Sequence, residues 1–132
     1  MPTELLTHVA EHMKLLGYQI DSNGLDYLYA SHPTRSHAIL KGAQGAITFY
    51  GFMESNNTAR EDRLGYLEFL NALNGGATTT HFTAWEDGRL VYQALYSGPY
   101  EKSAFGVFLV LWNLDTTEQF KTKQDTLRKY MG

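Results

Sequence analysis

Residues 58–96 read TAREDRLGYLEFLNALNGGATTTHFTAWEDGRLVYQALY, and this stretch carries a helix start, a helix stop, a tight turn and two strands in its residue chemistry. Thr58-Ala59-Arg60-Glu61 has the spacing of a capping box, in which the threonine hydroxyl accepts a backbone N–H and the glutamate reaches back. Tyr66, Phe69, Leu70 and Leu73 follow at i, i+3, i+4 and i+7, the apolar stripe that an amphipathic helix buries. Asn74-Gly75-Gly76 then predicts the helix stop, because glycine takes the left-handed conformation without steric cost. Beyond it, Asp87-Gly88 between two strand-like runs predicts a two-residue type I′ hairpin. That loop length sets the register: Trp85 opposite Leu90, Thr83 opposite Tyr92 and Thr79 opposite Tyr96, with Phe82, Ala84, Val91 and Leu95 on the alternate face.

Working outward, Leu5, Leu6, Val9, Met13 and Leu16 share one face of a first helix that Gly17 closes and Tyr18 anchors to the core. Asp21-Ser22-Asn23-Gly24 is turn chemistry, and Leu25 to Ser31, His37 to Lys41 and Ala46 to Met53 read as three strands. Pro33-Thr34-Arg35 and Gly42-Ala43-Gln44-Gly45 separate them. After Gly98-Pro99 breaks the chain, the run from Ala104 to Leu114 fits either a buried strand or a helix by periodicity. Phe105, Phe108, Leu109 and Trp112 form one helical stripe and Val107, Val110, Leu111 and Leu114 a second, so a helix here is apolar nearly all round. One face can cover the sheet, and the other needs cover from another helix or a second subunit, since apolar area left in water forfeits about 25 cal/mol per Å². Asp115-Thr116-Thr117-Glu118 can cap a new helix start, so a bend or break is expected there, and the polar tail from Lys121 to Lys129 is expected to fray. The order is α-β-β-β-α-β-β-α, an α+β fold with a five-stranded, largely antiparallel sheet.

Composition narrows the function classes. At 132 residues the chain is the size of one domain, and 43% hydrophobic with 19% charged residues predicts a packed core rather than disorder. A net charge of −3 lacks the basic footprint that phosphate backbones demand, which makes nucleic acid a poor first partner. The absence of cysteine removes disulfides, thiolate metal sites and cysteine nucleophiles together. Met1-Pro2-Thr3-Glu4 lacks a signal-peptide n-region, and the longest apolar run falls short of the roughly 20 residues of a membrane span, so the expectation is a cytoplasmic protein with no membrane partner.

The sharpest catalytic string is His8-Val9-Ala10-Glu11-His12, which matches H-x-x-E-H, a zinc-protease pattern with two histidine ligands and a glutamate base. The stripe through Leu5, Val9 and Met13 places both histidines on the helix flank, and a protease also needs a third ligand and a walled cleft. No metal or cofactor is therefore expected. No G-x-S-x-G, Walker A loop or G-x-G-x-x-G occurs, and the enzyme class is left without a positive signal. The aromatic residues of the strands carry more weight. Tyr27, Tyr29, Tyr50 and Phe52 alternate along the early strands, and Trp85, Tyr92 and Tyr96 share one face in the predicted register, where rings bury area while keeping a polar edge. These three are the candidate binding residues, and Phe108, Leu111 and Trp112 are candidates for core or dimer seam.

With this order, the chain resembles the YbjN family and the wider superfamily of type III secretion chaperone-like domains. The resemblance rests on Leu67-Glu68-Phe69-Leu70-Asn71-Ala72-Leu73-Asn74, on the hairpin around Glu86-Asp87-Gly88 and on the apolar final helix with Phe108, Leu111 and Trp112. It implies a small homodimer that binds protein segments, with no catalytic residues to carry over. The resulting expectation is a non-enzymatic, chaperone-like or regulatory interaction module. Its rivals are an aromatic sheet that stacks single-stranded nucleic acid or carbohydrate, and a zinc enzyme built on His8, Glu11 and His12.

Overall fold

The computed structural model describes residues 4–22, 27–43 and 45–132. Its elements are α1 (Glu4–Leu15), β1 (Gln19–Ser22), β2 (Tyr27–Ser31), β3 (Ala38–Ala43), β4 (Ala46–Met53), α2 (Asn57–Glu61), α3 (Arg63–Gly76), β5 (His81–Ala84) and β6 (Leu90–Ser97). They are followed by α4 (Lys102–Asn113), a π-helical turn (Leu114–Glu118), α5 (Gln119–Thr122) and α6 (Gln124–Tyr130). The strands form an antiparallel sheet in the order β1-β2-β3-β4-β6-β5. The α+β class matches the sequence expectation, but the sheet has six strands rather than five. The extra strand is β1, where Asp21 and Ser22, read as turn residues, pair with Tyr29 and Leu28. Asn23, Gly24, Leu25 and Asp26 of that reading, Gln44 of the next turn and the first three residues lie outside the described residues.

One sheet face carries the core. Leu28, Ala30, Ala38, Leu40, Ile47, Phe49, Phe82, Leu90, Tyr92, Ala94 and Tyr96 lie buried in a single cluster with the apolar faces of the helices. In α1, Leu5, Leu6, Val9 and Met13 are buried, Gly17 takes a φ of +94°, and Tyr18 is buried behind it. Leu16 lies past the helix end and is exposed, so it does not extend the α1 stripe. In α3 all of Tyr66, Phe69, Leu70 and Leu73 are buried. Helix α4 is the hub: Phe49 meets Phe105, Phe108 and Trp112 at ring distances of 6.0, 5.0 and 5.7 Å.

Three local readings change. The predicted cap at Thr58 moves to Asn56, whose side chain accepts from the Ala59 N–H at 3.2 Å. The helix then breaks at Asp62, which leaves helical geometry at ψ 62° and caps α3 by accepting from the Gly65 N–H. Asp62 can serve both roles because its backbone N–H donates to the Thr58 carbonyl while its carboxylate accepts an orphan N–H of the new first turn. At the other end, α3 runs through Gly75 and Gly76 without a left-handed glycine. Asn74 marks the stop by clamping β5, donating to the Phe82 carbonyl at 2.8 Å and accepting its N–H at 2.7 Å.

The last helix does not restart at Asp115. It continues through the π turn, and the Asp115 carboxylate turns away to accept the backbone N–H groups of Thr78, Thr79 and Thr80 at 2.9, 2.8 and 3.0 Å. The tail is also fastened rather than frayed. Asn56 N–H donates to the Tyr130 carbonyl, the Tyr130 hydroxyl donates to Asp62, and Met131 bridges to Ser55.

Candidate interaction face

The β5–β6 hairpin decides which β5 residues share a face with Tyr92 and Tyr96. Its loop holds Glu86, Asp87 and Gly88 between a closing pair in which Trp85 N–H donates to the Arg89 carbonyl at 3.0 Å. Only Gly88 has positive φ, at +94°, whereas a type I′ turn needs it at both central residues. The loop is therefore one residue longer than predicted, and Phe82, not Thr83, stands opposite Tyr92. A one-residue slip in register changes every cross-strand neighbour.

Tyr92 and Tyr96 accordingly lie in the core, beneath the helices, and do not share a face with Trp85. Tyr92 contacts Phe82, Trp112 and Phe120, and Tyr96 contacts Phe105 and Phe108. Burial pushes the Tyr92 phenol up to about 12. Phe108 and Trp112 are core residues and Leu111 is half-buried.

The opposite sheet face is built by the alternate residues. Register places Tyr29, Ile39, Tyr50 and Gln93 in one row across β2, β3, β4 and β6, with Tyr27, Lys41, Thr48 and Leu95 in the next. Phe52 and Leu95 are 45% and 60% exposed, and Tyr29 and Trp85 are also open to solvent. Arg89 is the hinge of one end: its guanidinium stands 4.8 Å from the Phe52 ring and 5.0 Å from the Trp85 ring. Asp87 holds that guanidinium at 2.8 Å, and the Arg89 backbone N–H, its strongest influence, lowers the Asp87 carboxyl below the usual range. At the other end, Lys41 lies over Tyr27, and Tyr50 is raised by partial burial and then by the neighbouring Tyr27. A concavity of about 300 Å³ between these ends is lined by Tyr29, Tyr50 and Phe52 with Asp21, Ser31 and His37 at its polar margin. Rings on a floor with polar groups at the edge suit burial of another molecule's side chains. Gln93 and Ser97, polar at alternate positions of β6, are the sequence signal that marks this as the outward face.

A second apolar surface lies on α4, where Val107, Val110 and Leu114 are 60%, 58% and 49% exposed. The H-x-x-E-H histidines serve aromatic contacts. His12 Nδ1 lies 2.8 Å from the Tyr100 hydroxyl, and His8 stacks on the same ring with centroids 5.4 Å apart. Glu4 sits 3.5 Å from His8, but no group of three or more His, Asp or Glu among the described residues is placed to hold a metal ion. No helix among the described residues is long and apolar enough to cross a membrane.

No family model and no curated protein matches the chain. Among solved structures, the crystal structure of YbjN from E. coli, a proposed transcription regulator, superposes with a TM-score of 0.71 at 15% identity, covering 96% of this chain and 95% of that chain. The fold is YbjN-like.

Proposed function

We propose that this YbjN-like chain is a non-enzymatic interaction module of chaperone-like or regulatory type, cytoplasmic and homodimeric, which offers its open sheet face to a polypeptide. One observation carries the reading: among the described residues the helices cover one side of the sheet, while Tyr29, Phe52, Trp85 and Leu95 leave the other side aromatic and open to solvent. Exposed rings of this kind act as anchors when a partner's apolar side chains settle among them. Trp85 stays in the binding set, and Tyr92 and Tyr96 support the face from the buried layer. A regulatory role accords with YbjN being a proposed transcription regulator. Polypeptide is the favoured partner because a net charge of −3 gives a phosphate backbone little to bind.

Panning a random peptide library on the immobilised protein tests the reading. Recovered peptides should shift Trp85 fluorescence, and a Phe52→Ser/Leu95→Ser variant should lose them. Peptides retained equally by that variant would overturn it, as would binding of single-stranded oligonucleotide that weakens steeply with salt.

A further inference from the structure

The open sheet face holds Arg89 in a cage of its own side chains. The guanidinium lies between the rings of Phe52 and Trp85, 4.8 and 5.0 Å away, and the Asp87 carboxylate grips it at 2.8 Å. Phe52 on β4 and Trp85, one residue past β5, stand on either side of β6. Two flanking rings and one carboxylate thus seat a guanidinium here, because ring quadrupoles attract a cation over their faces and a carboxylate matches its fork of N–H donors.

The same set occurs a second time without its cation. Tyr29 on β2 and Tyr50 on β4 stand on either side of β3, in one row across the sheet, with Ile39 between them. Two strand spacings put their backbones about 10 Å apart. The carboxylate is Asp21, which pairs with Tyr29 across the β1–β2 ladder and lines the same concavity of about 300 Å³. Among the described residues, no cation stands over Tyr29 or Tyr50, and none pairs with Asp21. Lys41, a cation of the adjacent row, is engaged over Tyr27. The filled set takes its guanidinium from the chain itself, whereas the empty one has Ile39 at its floor, an apolar rest for the aliphatic stem of an incoming side chain.

We propose that this concavity seats an arginine side chain of the bound polypeptide, with its stem on Ile39, its guanidinium between Tyr29 and Tyr50, and its N–H fork on Asp21. Arginine is favoured over lysine because a planar guanidinium stacks on rings and pairs with a carboxylate at once. The unpaired aspartate and the net charge of −3 both draw a cationic segment to this surface. The inference rests on the sheet face being the polypeptide-binding surface, and it names the side chain which that surface reads.

Two random heptapeptide libraries test it, identical except for a central arginine in one and its uncharged isostere citrulline in the other, each passed over the immobilised full chain. The arginine library should be retained roughly tenfold more strongly, the sum of two exposed cation–π contacts and one exposed ion pair. Asp21→Asn should cut that preference roughly threefold and leave citrulline retention unchanged. Tyr29→Leu should cut it by a similar factor, whereas Tyr29→Phe, which keeps the ring, should preserve it. Equal retention of both libraries by the wild type, with both lost in Phe52→Ser/Leu95→Ser, would overturn the arginine seat and leave the interaction face standing. So would an arginine preference that Asp21→Asn and Tyr29→Leu leave intact. Retention of neither library would overturn both.

Discussion

Gly51 lies directly across the β4–β6 ladder from Tyr92, and the tyrosine ring occupies the space into which a side chain at position 51 would grow. A Cβ there would stand 2.7 Å from ring carbon Cζ. The ring is packed between Phe82, Trp112 and Phe120, so it has little room to retreat. Gly51→Ala should therefore lower stability by about 1–3 kcal/mol in urea denaturation. Adding Tyr92→Val should recover part of that loss, because the two changes share one volume.

The same tyrosine predicts behaviour in alkali. Its phenol is raised from the ordinary 10.0 to about 12 by burial alone. A group whose pKa is higher in the folded state contributes stability that is intact below the unfolded value and is lost as pH rises toward the folded value. Stability should fall by about 3 kcal/mol between pH 10 and 12 through this residue. Tyr92→Phe should cost little at pH 7 and flatten that decline, as measured by denaturation across the alkaline range.

Asp115 ties three consecutive N–H groups of the α3–β5 loop to the π turn. Asp115→Ala leaves those donors without their acceptor and should destabilise by about 3 kcal/mol. Hydrogen exchange at Thr78, Thr79 and Thr80 should accelerate more than exchange in β3, and uniform acceleration would count against a local tie.

Asp62 predicts an acid effect of opposite direction to Tyr92. The Tyr130 hydroxyl, at 2.8 Å, and the Gly65 N–H hold its carboxyl below the ordinary 3.8. A depressed pKa contributes stability present above the unfolded value and lost as pH falls through the folded one. The stability gap between wild type and Asp62→Asn should be constant near neutrality and close below pH 3.8.

Much of the architecture is legible because its signals are local. The stripe Tyr66, Phe69, Leu70 and Leu73 fixes the buried face of α3, and Gly17 and Gly98 end their segments with φ of +94° and +95°. The candidate face is harder to read, since it depends on whether Glu86 joins the hairpin loop. That single residue decides whether Trp85 or Phe82 shares a face with Tyr92 and Tyr96, and nothing within Glu86-Asp87-Gly88 announces the longer loop. β1 escapes the reading for a related reason: Asp21 and Ser22 have turn chemistry, and only pairing with Tyr29 and Leu28 draws them into the sheet. Asp115 shows the same limit, because its three amide partners lie 35–37 residues away and a cap at its own position is the nearer alternative.

Both outer strands of the sheet, β1 and β5, are only four residues long. Stubs of that size give a passing polypeptide too few free amides and carbonyls to zip onto, so lateral growth into fibrils stalls at either margin. The protein can thus keep a sticky aromatic plane in water without its backbone templating aggregates.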